Sequence, residues 1–591
     1  MKKHNTFKVV LITILVLMLL TWILPAAYYS NGYVDQGRVQ MGLFDLFNYP
    51  ITTISYFGYI AVYILVVGGL YGVLNKISAY RVFLDKLAAT FKGKEKVVLS
   101  IIMVLLAVLT SVCGLQLGLI IFIPMLVSLI LLMGFDKITV ALAIVGSLMI
   151  GIAGSTCGYA NTNVIMTTLG IGMFSNVGAK IVILVVGMAL LIMNTMLYIN
   201  RSKKTTGKKT TKSAAKKKDV VVSKDEDKFI PAKVTGRKKV TVWPLAVIFA
   251  LVFVILVLAF ISWSGAFGVK AFENVTKSVL EFKLFGFPLF GKILGAANAF
   301  GAWTVADMIA VTVIVTLLLS FIYKVKFDDM LDGFVEGVKR AAAPALVVVL
   351  AYTCLVIATY HPFQLVIYKS LLDLTQGFNI ITGSLVAIIG SVINVDPAYT
   401  FQSILPYLAS VVDKSDYALV GLVFQSIYGV TMLVAPTSVV LMGVLSYLKV
   451  PYGKWLKTVG LLACELLLVV LFVSIAMVNA VVAATVIIEV AIAILMVVAM
   501  WKLFKKAGRP GWASIIPFYN YYVEFEIAGM NGWFFLLLLI PIVDIVLAII
   551  LTVKLAKAFG RSAGFAVGMI FLPFVFVPIL AFGKSKYVLK K

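Results

Sequence analysis

Charge is scarce in this chain: 13% of its 591 residues are Asp, Glu, Lys or Arg, against 62% hydrophobic residues and a mean hydropathy of +1.07. A soluble domain of that length has no means of hiding so much apolar surface, which leaves a polytopic membrane protein. Cysteine is rare, and Cys113, Cys157, Cys354 and Cys464 all sit in apolar segments without Cys-x-x-Cys or histidine spacing, so neither a metal site nor a disulfide framework is expected. The only histidines are His4, at the terminus, and His361 in Thr359-Tyr-His-Pro362. A single histidine at a helix end reads either as a satisfied interfacial side chain or as a proton relay. Also missing are the G-x-x-x-x-G-K-[ST] loop, the G-x-S-x-G elbow and H-E-x-x-H, which argues against an enzyme and against an ATP-driven pump. The lone glycine of Pro451-Tyr-Gly-Lys-Trp455 has no partners with which to turn a row of backbone amides toward a phosphate.

Long apolar runs are abundant. They recur at Val9–Ala27, Phe57–Leu74, Val97–Leu109, Ile181–Tyr198, Val242–Ile261, Val305–Tyr323, Ala341–Ile357, Ile380–Ile393 and Leu456–Val478, and the shortest of them suit halves of re-entrant hairpins. Met1-Lys-Lys before the first run and Pro25-Ala-Ala after it imitate a signal peptide, but the core is longer than a signal h-region, so a retained first helix is expected. The net charge is +26, and a dense basic share of it lies between Arg201 and Lys239, a Lys-rich stretch in which Phe229 alone offers a ring to stack on bases. That stretch reads as a disordered cytoplasmic linker attracted to anionic lipid, with no nucleic acid as partner. The division that follows is a first repeat at 1–200, a linker at 201–240, a second repeat at 241–479 and a C-terminal module at 480–591.

The two repeats share polar, helix-breaking clusters at membrane depth. The first runs from Ser111-Val-Cys-Gly-Leu-Gln116 to Gly158-Tyr-Ala-Asn-Thr-Asn163, the second from Asn394-Val-Asp-Pro-Ala-Tyr-Thr400 to Val434-Ala-Pro-Thr-Ser438. Laid together without gaps, Ala160-Asn-Thr-Asn163 covers Ala435-Pro-Thr-Ser438 and pairs Thr162 with Thr437. Each cluster follows an amphipathic arm, at Lys76–Lys96 and at Lys326–Arg340. In hydrocarbon an interrupted helix persists only where it lines an enclosed cavity, and corresponding interruptions in two halves point to a carrier's binding site. The half-helix N-termini suit a carboxylate, while freed carbonyls and hydroxyls suit a cation or an ammonium group. The candidate substrate-binding residues are therefore Gln116, Asn161, Thr162, Asn163, Asp396, Thr400, Pro436, Thr437 and Ser438. The plainer alternative is that these small polar residues only join packed helices. Asp396 reads either as the partner of a cationic group, a proton or Na⁺, or as a helix cap.

Val434-Ala-Pro-Thr-Ser-Val-Val-Leu-Met-Gly-Val-Leu-Ser-Tyr-Leu-Lys-Val-Pro-Tyr-Gly-Lys-Trp455 resembles the signature of the YfcC-like carriers, relatives of the anaerobic C4-dicarboxylate carriers and basic amino acid antiporters in the ion transporter superfamily. Thr21-Trp-Ile-Leu-Pro-Ala26, Val67-Gly-Gly-Leu-Tyr-Gly72 and Gly134-Phe-Asp136 match the same pattern, and the resemblance covers roughly the first 480 residues. It implies an all-α fold of two inverted repeats with re-entrant hairpins, two broken helices and elevator-like alternating access. The chain departs from the family at Gly114-Leu-Gln-Leu-Gly-Leu119, at Asn161-Thr-Asn163 and at Asp396-Pro-Ala-Tyr399, where relatives carry an acidic pair, Asn-Pro-Phe and Pro-Ser-Gly. The tail around Lys506-Ala-Gly-Arg-Pro-Gly-Trp512 resembles a small bacterial membrane module of unknown function.

Together these features give the expectation of a secondary carrier in a prokaryotic plasma membrane, with no resident cofactor beyond Na⁺ or H⁺ coupling. Its cargo is expected to be basic amino acids of the arginine and ornithine type, exchanged across the membrane. The alternatives are a coupled C4-dicarboxylate carrier and, from another class, a non-transporting scaffold or receptor. Expected partners are the small-molecule substrate, membrane lipid and a second copy of the chain. With the linker inside, both arms fall on one side, which conflicts with inverted repeats and suggests an uncounted span within Trp263–Thr304.

Overall fold

The computed structural model describes residues 5–210, 229–232, 240–295, 297–375, 377–539 and 543–589. It forms two compact units, Met1–Met477 and Val478–Lys591. Among the described residues, eight helices of the first unit are long and apolar enough to cross a membrane.

The first repeat begins with α1 (Asn5–Ile23) and a short antiparallel hairpin, β1 (Ala26–Tyr29) and β2 (Tyr33–Gly37), in an otherwise largely helical chain. Then come α2 (Asp45–Leu74), α3 (Ser78–Thr90), α4 (Glu95–Cys113) and, after a 3₁₀ stretch, α5 (Ile123–Leu132). A helix with one π turn follows, made of α6 (Lys137–Ala141) and α7 (Ser147–Ala153); after a break it resumes as α8 (Tyr159–Leu169), and α9 (Val177–Thr210) completes the repeat. Asp136 caps α6 by accepting the Thr139 N–H at 2.9 Å and accepts the Tyr198 hydroxyl at 2.7 Å. The expected linker begins inside α9, which stays helical to Thr210; the reading of 211–228 and 233–239 as disordered lies outside the described residues.

The second half runs α10 (Trp243–Phe260), α11 (Trp263–Phe267), α12 (Ala271–Glu281), α13 (Leu289–Leu294), α14 (Val305–Ile322), α15 (Phe327–Tyr360), α16 (Gln364–Asp373), α17 (Ile380–Ile393), α18 (Pro397–Val411), α19 (Tyr417–Met432), α20 (Val439–Leu448) and α21 (Tyr452–Val478). A shift of 281 residues, the step from Thr156 to Thr437, lays α2 on α15, α3 on α16, α4 on α17, α5 on α18, α6–α7 on α19, α8 on α20 and α9 on α21.

That correspondence corrects the reading of the arms. Lys326–Arg340 is no separate arm: it is the start of the 34-residue α15, which carries on through Pro344. The counterpart of α3 is α16. The direction of the repeats follows from α2 and α15, which pack along their length in opposite senses. Thr53 meets Thr353 (3.1 Å), Phe57 stacks on Tyr352 (4.6 Å), Gly68 faces Gly337 and Ala341, and Gly72 faces Gly333. A β-carbon on Gly72 would fall 1.9 Å from the Gly333 carbonyl oxygen, so two backbones touch where small residues recur every fourth position. Since α3 and α16 each follow the C-terminus of one member of this antiparallel pair, they emerge at opposite ends, as inverted repeats require. No extra span is needed between Trp263 and Thr304, where α11, α12 and α13 are 5, 11 and 6 residues long with no buried residue.

His361 is a satisfied side chain. Its Nδ1 lies 2.8 Å from the Val39 carbonyl and its Nε2 2.8 Å from the Tyr49 hydroxyl. A carbonyl only accepts, so Nδ1 carries the hydrogen there.

The second unit holds α22 (Ala480–Lys506), α23 (Tyr519–Ile527), α24 (Val543–Ala558), α25 (Ala563–Phe571) and α26 (Pro573–Phe582). Its Lys-Ala-Gly-Arg-Pro-Gly-Trp run is structural. Gly508, at φ +74°, ends α22 with the paired Arg509-to-Phe504 and Gly508-to-Lys505 backbone bonds of a left-handed cap. Lys506 donates to the Leu580 and Gly583 carbonyls at the end of α26, and Arg509 pairs with Glu526 at 2.6 Å.

Candidate functional site

Each hairpin tip clasps the break of the broken helix that follows it. In the first repeat, α4 ends in Gly114 at φ +69°, and the Ser111 carbonyl behind it accepts the N–H groups of Thr156 (3.1 Å) and Gly158 (3.0 Å). The Ser111 hydroxyl donates to the Gly154 carbonyl at 2.8 Å. Gly158 must be glycine-sized, because a β-carbon there would fall 2.9 Å from the Gly114 nitrogen. In the second repeat the Thr437 hydroxyl donates to the Val392 carbonyl at 2.7 Å, across the same 45-residue separation that joins Ser111 to Thr156. Geometry therefore pairs Thr437 with Thr156, and Ser155-Thr-Cys157 with Pro436-Thr-Ser438. The gapless pairing of Thr162 with Thr437 is six residues out of register: Thr162 is already inside α8, donating to the Gly158 carbonyl at 3.2 Å.

Gln116 and Asn161 do come together, the Gln116 amide donating to Asn161 Oδ1, while Asn161 Nδ2 lies 3.3 Å from the Ser155 hydroxyl. Asn163 Oδ1 is buried with no hydrogen-bond partner among the described residues. Asp396 and Thr400 belong to the second tip. Asp396 caps α18, accepting the Ala398 N–H at 2.8 Å, while the Thr400 hydroxyl donates to the Asp396 carbonyl at 2.8 Å. The Tyr399 ring nearby stands 6.0 Å from that of Phe57 on α2.

Breaking a helix frees carbonyls, and here they are taken up by protein donors. Trp455 Nε1 donates to Leu433 O at 2.9 Å and the Tyr452 hydroxyl to Val434 O, which gives the Pro451-Tyr-Gly-Lys-Trp455 block its structural role. At the first break, Ser426 donates to Ala153 O at 2.8 Å and Gln425 to Ser155 O at 2.7 Å. Freed N–H groups are treated differently. Neither Gly158 ahead of α8 nor Ser438 ahead of α20 supplies a side-chain cap, so both half-helices present first-turn amides with partial positive charge.

The α20 end opens on a cavity of about 450 Å³ between α2 and α15 on one side and α5 and α20 on the other. Gln116, Leu117, Val439 and Val440 line it near the tip and the break; Tyr80, Arg340, Tyr447 and Lys449 line it toward the far ends of their helices. The walls are largely apolar, and no carboxylate is among the described residues that line them. Neither Arg340 nor Lys449 has an ion-pair partner among the described residues. Of the nine candidate residues only Gln116 lines this space; Asn161 stands behind it, and Ser438 lies one residue before the lining.

Sequence reasoning missed Ser111, Ser155 and Thr156, which act through main-chain atoms and hydroxyls together. It also missed Lys180. This lysine on α9 is 6% exposed, donates to Met173 O at 3.4 Å, and stands behind the first break, its carbonyl oxygen 2.8 Å from where a β-carbon on Gly154 would fall. The available signal was a lysine at the very edge of an apolar run, where an ionisable side chain is a functional candidate.

Comparison with known proteins gives distant likenesses and one family. An uncharacterized protein of Haemophilus influenzae is 22% identical over 417 residues, covering 69% of this chain and 73% of that protein. The YdaH transporter of Alcanivorax borkumensis aligns over 80% of this chain and 98% of its own at 13% identity, with a TM-score of 0.35. MtrF of Neisseria gonorrhoeae, described with a class of antimetabolite efflux pumps, covers 80% and 94% at 13% identity and a TM-score of 0.32. Residues 512–590 match a family of unknown function, DUF5684. Residues 4–483, most of the molecule, match the DcuC family, and the chain therefore belongs to the C4-dicarboxylate anaerobic carriers.

Proposed function

We propose that this transporter is a secondary carrier of small dicarboxylates, of the YfcC-like kind, working by elevator-like movement of the hairpins and broken helices against α2 and α15. The observation that carries this reading is the lining of the cavity: among the described residues, two cations without an ion-pair partner toward its mouth, a glutamine and an uncapped helix N-terminus at its inner end, and no acid. Such a lining attracts a dianion and repels a cationic amino acid. Membership of a C4-dicarboxylate family supports the same cargo. Gln116, Asn161 and the amides that follow Ser438 would hold the carboxylates, and the cavity would be the route to them from the side of the linker. Coupling to Na⁺ or H⁺, or exchange of one dicarboxylate for another, would drive the cycle.

Exchange of basic amino acids is a second reading, favoured by Asp396 alone. Its carboxylate is engaged as a cap. Uptake of labelled succinate, arginine, ornithine, citrulline and acetate into proteoliposomes tests the choice. Succinate counterflow without arginine counterflow is expected; the reverse would restore the amino acid assignment.

A further inference from the structure

The cavity's mouth is occupied by a piece of the linker. Of the stretch between α9 and α10, residues 229–232 and 240–242 are described, and the first four make several specific contacts with α3, α5, α6 and α20. The Ser128 hydroxyl on α5 donates to the Phe229 carbonyl at 2.6 Å. The Phe229 ring meets the Tyr447 ring of α20 edge to face at 5.3 Å, and Lys137 Nζ at the start of α6 stands 5.1 Å from its centroid. Pro231 is buried, and its carbonyl accepts a hydrogen bond from Arg81 on α3. Arg81 is itself 7% exposed, held by Asp85 at 2.9 Å, so a buried guanidinium is committed to a linker carbonyl. Phe229 is also one wall of the cavity, beside Ser128 and Tyr447.

These contacts join parts that an elevator cycle would separate. Arg81 belongs to the arm that continues α2, whereas Ser128, Lys137 and Tyr447 belong to the hairpin and broken helices. We propose that Phe229-Ile-Pro231 is a strap that closes the mouth of the cavity and ties the arm to the moving helices, so that cargo passes only when the strap lifts. The inference rests on the cavity being the access route. It assigns the ring of Phe229 as the plug, with Arg81 and Ser128 as its two anchors. The three residues use two kinds of anchor: main-chain carbonyls for position and one aromatic ring for closure.

The test needs no substrate. Val444 is 4% exposed on the cavity wall, and Val444→Cys in the full chain places a thiol there. Its alkylation by a charged thiol reagent in detergent solution is followed by mass spectrometry on the peptide that carries the substitution. Loss of one edge-to-face ring contact should free the mouth, so adding Phe229→Ala should raise the labelling rate roughly three- to tenfold. Ser128→Ala should raise it in the same direction. Phe285→Ala, which removes a fully exposed ring elsewhere, should not. Unchanged labelling in both strap variants, or an equal rise in the Phe285 control, overturns the strap. If Phe229→Ala lowers the melting temperature while labelling stays put, the segment is only a staple, and the proposal fails equally. Labelling that responds while wild-type protein carries no succinate would keep the strap and reject the dicarboxylate assignment.

Discussion

Gly72 of α2 and Gly333 of α15 touch through their backbones, with the Gly333 carbonyl oxygen 1.9 Å from where a Gly72 side chain would begin. The clash is with main chain, so no side chain can swing away. Gly72→Ala should force the two long helices apart at a cost of about 1–3 kcal/mol, the range for overpacking, and more if the inverted pair cannot re-seat. Gly460→Ala on α21, with nothing within 4 Å, is the matched control. Thermal denaturation in detergent should show a clear loss for the first and none for the second.

Thr437→Val removes the hydroxyl that fastens the second break to its hairpin and leaves the Val392 carbonyl without that donor. The stability loss should be about 1–3 kcal/mol, the cost of an unsatisfied buried group. Counterflow should fall by roughly tenfold or more, because a displaced reacting geometry is punished more than the fold. Thr156→Val, the true counterpart, loses only longer contacts of 3.3 and 3.4 Å and should be milder. Wild-type counterflow by Thr437→Val at normal abundance would remove Thr437 from the site.

Asp396→Asn keeps a capping side chain, since asparagine and aspartate are about equal at this position. Succinate counterflow should therefore stay within about twofold of wild type, whereas Asp396→Ala should cost about 0.5–2 kcal/mol of stability. A collapse of counterflow in the asparagine variant would mean that the charge itself is used.

Lys180→Met tests the buried ammonium behind the first break. Replacing a buried charge by an apolar side chain of similar size is often neutral or stabilising. The expected pattern is an unchanged or higher melting temperature with transport reduced at least about tenfold. A lower melting temperature with normal transport would make Lys180 a purely structural tie to Met173.

Arg340→Gln combined with Lys449→Gln removes the two cations that line the cavity without an ion-pair partner among the described residues. KM for succinate should rise several-fold, and the wild-type dependence of KM on ionic strength should flatten, as expected for steering of an anion. Equal salt dependence in both proteins would show that neither cation guides the cargo.

The spans were legible from composition because each is an apolar run, and Ile380–Ile393 announced itself as a hairpin half by being short. Three things were not legible. The amphipathic Lys326–Arg340 looked like a separate arm because charge usually marks an end, but α15 carries it onward and buries Gly333 and Gly337 against α2. The register of the two breaks was misread because Ala-Asn-Thr-Asn and Ala-Pro-Thr-Ser look alike, whereas the breaks are set by which carbonyl of the preceding hairpin reaches which amide or hydroxyl. Residue type says little about that. Lys180 escaped for a different reason: it lies on α9, 22 residues past Gly158, and only folding brings it to the break.

At the first break one main-chain oxygen, the Ser111 carbonyl, holds Thr156 and Gly158 together. Every residue type at position 111 supplies that atom. Substitutions at the neighbouring Gln116 and Asn161 thus leave that main-chain contact in place. A chain built this way can drift from one cargo to another by point substitution while its hinge geometry is inherited intact, which is how a binding loop can depart from its relatives inside an unaltered architecture.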